Sequence, residues 1–178
     1  MKRLCLTVVL MSGACWAQNT PPASPSIWSQ SVEAVSDASR KWVGQASDLI
    51  QGAMDHLGTP YRRGGASDNG FDCSGFVQSM YANTLGMLLP RSAVDQARAT
   101  APIDESELKP GDLVFFNTMK RAYSHVGIYL GDNECIHSPR PGKKVKVERM
   151  TDRYWSQRFN GARRVLGEPS GTDPAQRP

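Results

Sequence analysis

No run of apolar residues in this 178-residue chain is long enough to cross a bilayer. The one short apolar stretch, Leu4-Cys5-Leu6-Thr7-Val8-Val9-Leu10-Met11, follows Lys2-Arg3 and reads as a cleaved export signal over residues 1–17. There is no internal repeat. A large excess of one charge is missing too: the net charge of +4 falls to +2 once Lys2 and Arg3 are removed, too little to argue for nucleic acid. No group of residues has convincing metal-ligand spacing, and no cofactor is expected. At this length and 39% hydrophobic composition there is room for one core of ordinary size and little for a second domain.

Cysteine is scarce as well. Cleavage after Ala17 removes Cys5 and Cys15 and leaves Cys73 and Cys135, which an oxidising compartment would tend to pair. A structural disulfide would use up the more informative thiol, so Cys135 is read as a small buried apolar residue and Cys73 as free. A lipoprotein anchor on Cys15 competes with soluble export. Gly13-Ala14 suits lipid attachment, but Ser12 stands where such signals usually carry leucine.

Residues 18–30, rich in Pro, Ser, Gln and Asn, cannot bury enough apolar surface to fold and are expected to be a disordered spacer. Val32, Val35, Trp42, Val43, Ala46, Leu49, Ile50, Ala53, Met54 and Leu57 then recur at helical spacing until Gly58-Thr59-Pro60 stops the pattern. A second helix is predicted from Cys73 to about Thr84, and Ser92 can cap a third over 93–99. Strands follow at 112–116, 124–130, 134–138, 144–148 and 161–166, with a hairpin turn at Gly131-Asp132-Asn133. Helices first and an antiparallel sheet afterwards define an α+β fold. Residues 167–178 read as a disordered tail.

Cys73 stands in Phe71-Asp72-Cys73-Ser74-Gly75-Phe76, where a glycine-rich loop turns into a helix. First-turn N–H groups and the helix dipole favour the thiolate there, and the thiolate is the form that attacks carbonyl carbon. A base is available in Ser124-His125-Val126-Gly127-Ile128-Tyr129, and a second histidine follows in Ile136-His137-Ser138. Residues two apart share a strand face, so His125 and His137 become neighbours if the 131–133 turn closes a hairpin. His125 would then pair with Cys73 as imidazolium with thiolate, and His137 would hold the His125 ring in orientation and tautomer. The N–H of Cys73 is placed to receive the negative charge that builds on the carbonyl oxygen. Two histidines beside a cysteine leave a rival zinc reading. His56 receives no role, and Asp112 is read as the start of a strand.

The blocks Leu57-Gly58-Thr59-Pro60-Tyr61-Arg62-Arg63-Gly64-Gly65, Phe71 to Val77, Leu89-Pro90-Arg91-Ser92, Leu108 to Phe116 and Ser124 to Leu130 occur in order. Together with the Cys…His…His series they resemble the NlpC family of papain-like cell-wall endopeptidases, over roughly residues 50–165. The resemblance implies a papain-like catalytic domain over 31–166, helices packed on a central antiparallel sheet. It also implies an exported cysteine peptidase acting on peptidoglycan stem peptides, at the bond between D-glutamate (γ-carboxyl) and the following diamino acid. It nominates Tyr61 as a second oxyanion donor, and Tyr61, Asp72, Ser74, Arg91 and Ser92 as substrate-binding residues. Arg63 departs from the family pattern, which commonly has an aromatic there. The same site would serve an N-acetylmuramoyl amidase or an acyltransferase, and a non-catalytic wall-binding protein is the alternative of another class. From Arg140 to Arg164 nine Arg and Lys face only Glu148 and Asp152, a basic surface for an anionic wall or membrane, or else a lysine-protected edge strand. Oligomeric state has no signature in the sequence.

Overall fold

The computed structural model describes residues 27–167, so the export signal, Cys5, Cys15, most of the spacer and nearly all of the tail lie outside the described residues. Residues 27–30, expected in the spacer, are already helical. They open α1 (Ile27–Met54), which carries Ala46, Leu49 and Ala53 at the three- and four-residue spacing that buries one face. Val43 and Leu57, counted on that face in the sequence, are exposed, and Leu57 lies beyond the helix end.

A two-strand hairpin, β1 (Ala66–Ser67) with β2 (Gly70–Phe71), leads into α2 (Cys73–Leu85), and α3 (Ala93–Arg98) follows. A six-stranded sheet is then built from β3 (Ala101–Ile103), β4 (Leu113–Phe116), β5 (His125–Gly131), β6 (Glu134–His137), β7 (Lys146–Arg149) and β8 (Phe159–Arg164). Its order is β3-β8-β4-β5-β6-β7, with every neighbouring pair antiparallel. The fold is α+β, as the order of periodicities predicts. Three elements had no signal in the sequence: the β1–β2 hairpin, β3, and the four-residue α4 (Arg153–Ser156).

The β5–β6 hairpin turns on Asp132 and Asn133, whose φ values of 50° and 59° suit Asp and Asn better than other side chains. Its register pairs Ile128 with Ile136 and Tyr129 with Cys135, so continuing it sets His137 opposite Gly127 and diagonal to His125. Alternation sorts the two faces. Leu113, Phe115, Val126, Ile128 and Ile136 meet α1 and α2 through Leu49, Phe76, Val77 and Met80. Val114, Phe116, Tyr129 and Cys135 meet Met150 and Trp155 on the other side. Cys135 is buried and free, as is the half-buried Cys73, so no disulfide joins them. The segment 144–148 is only partly a sheet strand. Val145 instead exchanges backbone bonds with the 58–59 turn, at 3.0 and 2.8 Å, which covers that stretch of edge.

Asp112 does more than begin β4. Its carboxylate accepts Arg164 Nε at 2.9 Å and Arg164 Nη2 at 2.8 Å, and also the Lys109 backbone N–H at 2.7 Å, with both side chains almost fully buried. This fork joins the residue just before β4 to the end of β8, its neighbour in the sheet. Removing one partner of a buried ion pair leaves an uncompensated charge. Asp112→Ala is therefore expected to lower unfolding free energy by about 3–5 kcal/mol, read by urea denaturation.

Candidate active site

Cys73 is the first residue of α2, and its neighbour Asp72 is the N-cap, accepting the Gly75 N–H at 2.7 Å. Gly75 has to be glycine. A Cβ there would stand 2.1 Å from the Gly65 carbonyl oxygen, because the glycine-rich loop lies directly across the first helical turn. The segment that carries Cys73 is tied to the histidine strands by Ser138, next after His137, whose hydroxyl donates to the Phe71 carbonyl at 2.7 Å. On the other side, Tyr61 is placed by its backbone N–H, which donates to Lys143 O at 2.8 Å.

Cys73, Tyr61 and His125 line one cavity of about 540 Å³. The sulfur sits beside the His125–Val126 peptide, with the backbone N–H groups of Val126, Ser74 and Cys73 directed at it. Behind His125 lies His137, only 1% exposed and not itself on the cavity wall. His125 Nε2 and His137 Nδ1 are 2.6 Å apart, a direct hydrogen bond. Gly127 permits this approach, since a Cβ at 127 would come within 3.2 Å of His137 Cβ. Two nitrogens held at about 2.0–2.1 Å by one tetrahedral zinc stand about 3.3 Å apart, so this contact is a hydrogen bond and not a ligand pair.

Trp155 from α4 stacks on His125 with 5.5 Å between ring centroids and 27° between planes, and meets His137 edge-on at 4.9 Å. It covers one side of both rings. Glu148 on β7 reaches His137 from the remaining side, with 2.8 Å between Oε2 and Nε2, while Oε1 pairs with Lys146. Neither Trp155 nor Glu148 was singled out in the sequence. Trp155 lies in a helix too short to show periodicity, and Glu148 lies in a run that reads as a lysine-rich edge.

The surroundings of these groups work against the ion pair expected from the sequence. Burial pushes the Cys73 thiol up from its ordinary range, and the Asp72 carboxylate adds to this, while the three N–H groups work in the opposite direction and lose. Burial likewise drives His125 well below the usual histidine range, helped by His137 and opposed by Glu148. His137 is also lowered by burial, against the pull of Glu148. Both shifts favour the neutral forms, thiol and imidazole, over thiolate and imidazolium. Burial raises Tyr61 as well, with the Asp72 carboxylate, and any thiolate at Cys73, adding to it, so its hydroxyl keeps the proton an oxyanion donor needs.

The other residues nominated for substrate are brought together, but with one another. Arg91 grips Asp72 by a two-nitrogen fork at 2.9 and 2.6 Å and donates to the Ser74 hydroxyl at 3.1 Å. Asp72 also accepts the Gly64 N–H at 2.9 Å. Burial works against the Asp72 carboxylate, yet the Arg91 fork and these N–H groups hold it below the usual carboxylate range. Ser92 caps α3, accepting from the Asp95 N–H. None of these four lines the cavity. The cavity lining also includes Arg140, Lys143 and Lys146, the acids Glu148 and Asp152, and the side chains of Met119, Tyr154 and Trp155.

A cysteine at a helix start, set against strand histidines in an α+β domain, is the arrangement of the papain-like fold. The chain belongs to the NlpC/P60 family, which it matches over residues 58–164. It is 41% identical over 137 residues to the murein DD-endopeptidase MepH of Escherichia coli K12, covering 74% of this chain and 51% of that protein. To the murein DD-endopeptidase MepS/murein LD-carboxypeptidase of the same strain it is 35% identical over 170 residues, or 90% of this chain and 89% of that one. The γ-D-glutamyl-L-lysine dipeptidyl-peptidase of Bacillus subtilis 168 is 39% identical over 127 residues, 70% of this chain and 43% of its own. Among solved structures, an NlpC/P60 family protein from Bacillus cereus ATCC 10987 superposes with a TM-score of 0.64 at 38% identity, covering 68% of this chain and 40% of that one. The chain thus spans about half the length, or less, of two of these curated relatives and most of the third.

A raised thiol pKa has a direct readout. Alkylation of Cys73 by iodoacetamide in the resting protein is expected to stay slow at neutral pH and to accelerate only above the ordinary thiol range of about 8.5. A fast plateau already present near about pH 6 would show a thiolate–imidazolium pair instead.

Proposed function

We propose that this protein is an exported cysteine endopeptidase that hydrolyses amide bonds of peptidoglycan stem peptides. The observation that carries the reading is the cavity that Cys73 and His125 both line, with His125 in turn hydrogen-bonded to His137. Family membership supports it, and so do the endopeptidase names of the relatives. A leader over residues 1–17 fits a substrate outside the cytoplasm.

In the reaction the thiol proton passes to His125 as sulfur bonds to the carbonyl carbon and the carbonyl electron pair moves onto oxygen. The Cys73 N–H and the Tyr61 hydroxyl are the donors available to that oxygen. Collapse breaks the C–N bond, and the amine leaves with the proton held on His125. Water then loses a proton to the same ring as it attacks the thioester, and Cys73 regains its thiol proton as the acid departs. The wall of the cavity suits an acidic peptide. Arg140 and Lys143 are exposed there without an ion-pair partner among the described residues, while Lys146 is already paired with Glu148.

The bond we assign is γ-D-glutamyl to diamino acid, in keeping with the B. subtilis relative. A second reading, a DD bond, is favoured by the relative that the chain matches over 89% of its length. Mass spectrometry of stem peptides and crosslinked muropeptides treated with protein lacking residues 1–17 decides between them. Fragments ending at D-glutamate, absent with Cys73→Ala, support the first, and separation of crosslinked dimers into monomers supports the second. No cleavage of any substrate by folded protein with a free thiol would overturn the hydrolase reading. The double variant Arg140→Gln, Lys143→Gln is expected to raise KM for a peptide whose diamino acid carries a carboxylate by about 3- to 10-fold with little change in kcat, as loss of uniform binding requires.

A further inference from the structure

The His125–His137 bond leaves one question of chemistry open, namely which ring donates. Nε2 of His125 and Nδ1 of His137 share one proton between them, and the two possible arrangements are not equivalent for catalysis. If His137 donates, Nε2 of His125 is the acceptor, and its only other nitrogen, Nδ1, carries a proton. Such a ring cannot take one from Cys73. If His125 donates, Nδ1 of His125 bears a lone pair and is a base.

We propose that Glu148 is a positioning residue of the reaction, which selects the second arrangement by accepting the Nε2–H of His137. The contact is 2.8 Å, on a ring nearly sealed from solvent. Glu148 is held as a carboxylate, its pKa brought down to about 2 even though burial works against it, by its hydrogen bonds to His137 and Lys146. A carboxylate only accepts, so a neutral His137 must carry its proton on Nε2 and offer the Nδ1 lone pair to His125. His125 then holds its own proton on Nε2. The chain of donors runs from His125 to His137 to Glu148, leaving Nδ1 of His125 free for the thiol proton. When His125 becomes positive during the reaction, the negative charge at the end of this chain stabilises it.

The groups that face His137 are few. His125 lies on β5, Glu148 and Lys146 on β7, and Trp155 on α4, with Cys73 and Asp152 on the cavity beyond His125. Glu148 raises the proton affinity of both rings, and Lys146 lowers that of His137. Loss of the Glu148 charge therefore lowers both further. In kcat/KM, the fall toward acid pH that accompanies protonation of His125 moves to lower pH in Glu148→Gln. The plateau falls as well, because an amide at 148 can donate as well as accept and no longer selects the tautomer.

The role rests on the proposed hydrolysis for its kinetic arm, so a second arm reads the rings without substrate. Nitrogen-15 spectra of the resting full-length protein distinguish protonated from bare ring nitrogens. The expected wild-type pattern is a proton on Nε2 and a lone pair on Nδ1 in both His125 and His137, changing to a mixture in Glu148→Gln. In kinetics, Glu148→Gln is expected to lose about 10- to 100-fold in kcat with KM within about twofold and the acid limb displaced downward. Glu148→Asp, which retains the charge, restores the limb and part of the rate. A wild-type His137 protonated on Nδ1 would overturn the proposal. So would a folded Glu148→Gln with unaltered kcat and acid limb. Absence of any cleavage by wild type, with the expected ring pattern intact, would instead reject the hydrolase reading and leave the tautomer assignment standing.

Discussion

Two largely buried imidazole rings hydrogen-bonded to each other form the constraint around which this domain is arranged. An exposed histidine can satisfy a misplaced nitrogen with solvent, but a buried one that loses its partner keeps the full desolvation penalty, about 1–3 kcal/mol. The backbone around the pair is therefore specific. Asp132 and Asn133 turn the hairpin in a conformation that fixes the β5–β6 register, and Gly127 withholds the side chain that would separate the rings. Trp155 then covers both rings from α4. A one-residue slip of β6 would send His137 to the opposite face, among Val126 and Ile128.

Much of this was legible in the sequence, because it depends on local periodicity. Alternation in Ser124 to Leu130 and Glu134 to Ser138, with a turn of Gly-Asp-Asn between them, is enough to bring His125 and His137 together. The Asp72 cap and the glycine-rich loop mark Cys73 as a helix start. What stayed hidden depends on contacts between segments far apart in the chain. Asp112 and Arg164 carry no mutual signal in their local patterns, and neither do Ser138 and the Phe71 carbonyl. Arg91 illustrates a different gap. Its position in a family block suggested a ligand, whereas its geometry places it on Asp72 and Ser74, where it holds the cap that begins α2.

Glu148 was hidden for yet another reason. The run from Lys143 to Arg149 alternates and is rich in positive charge, so it reads as a protected edge. In the sheet β7 is indeed an edge, yet its inner neighbour is β6, and the Cys135–Glu148 and His137–Lys146 register sets Glu148 within reach of His137. Lys146 then serves two ends. It keeps the carboxylate charged, and it leaves Arg140 and Lys143 as the cations on the cavity wall that are free to meet a ligand.

The surroundings of the Cys73 thiol set two effects of opposite sign against each other. A helix start lends a thiolate about 0.3–1 kcal/mol, and up to about 2 kcal/mol in a favourable partly buried geometry. Full burial can move a titratable group by about 3–5 pK units, at about 1.4 kcal/mol for each unit. At Cys73 burial prevails, and the nearby Asp72 carboxylate adds to it although the Arg91 fork faces that charge. The same burial works against a positive charge on His125, the usual stabiliser of a thiolate. A neutral thiol and a neutral base remain competent if the proton moves as the new bond forms. That route demands a lone pair already aimed at the thiol, which makes the tautomer of His125, and the residues behind it that determine the tautomer, more consequential here than any preformed ion pair.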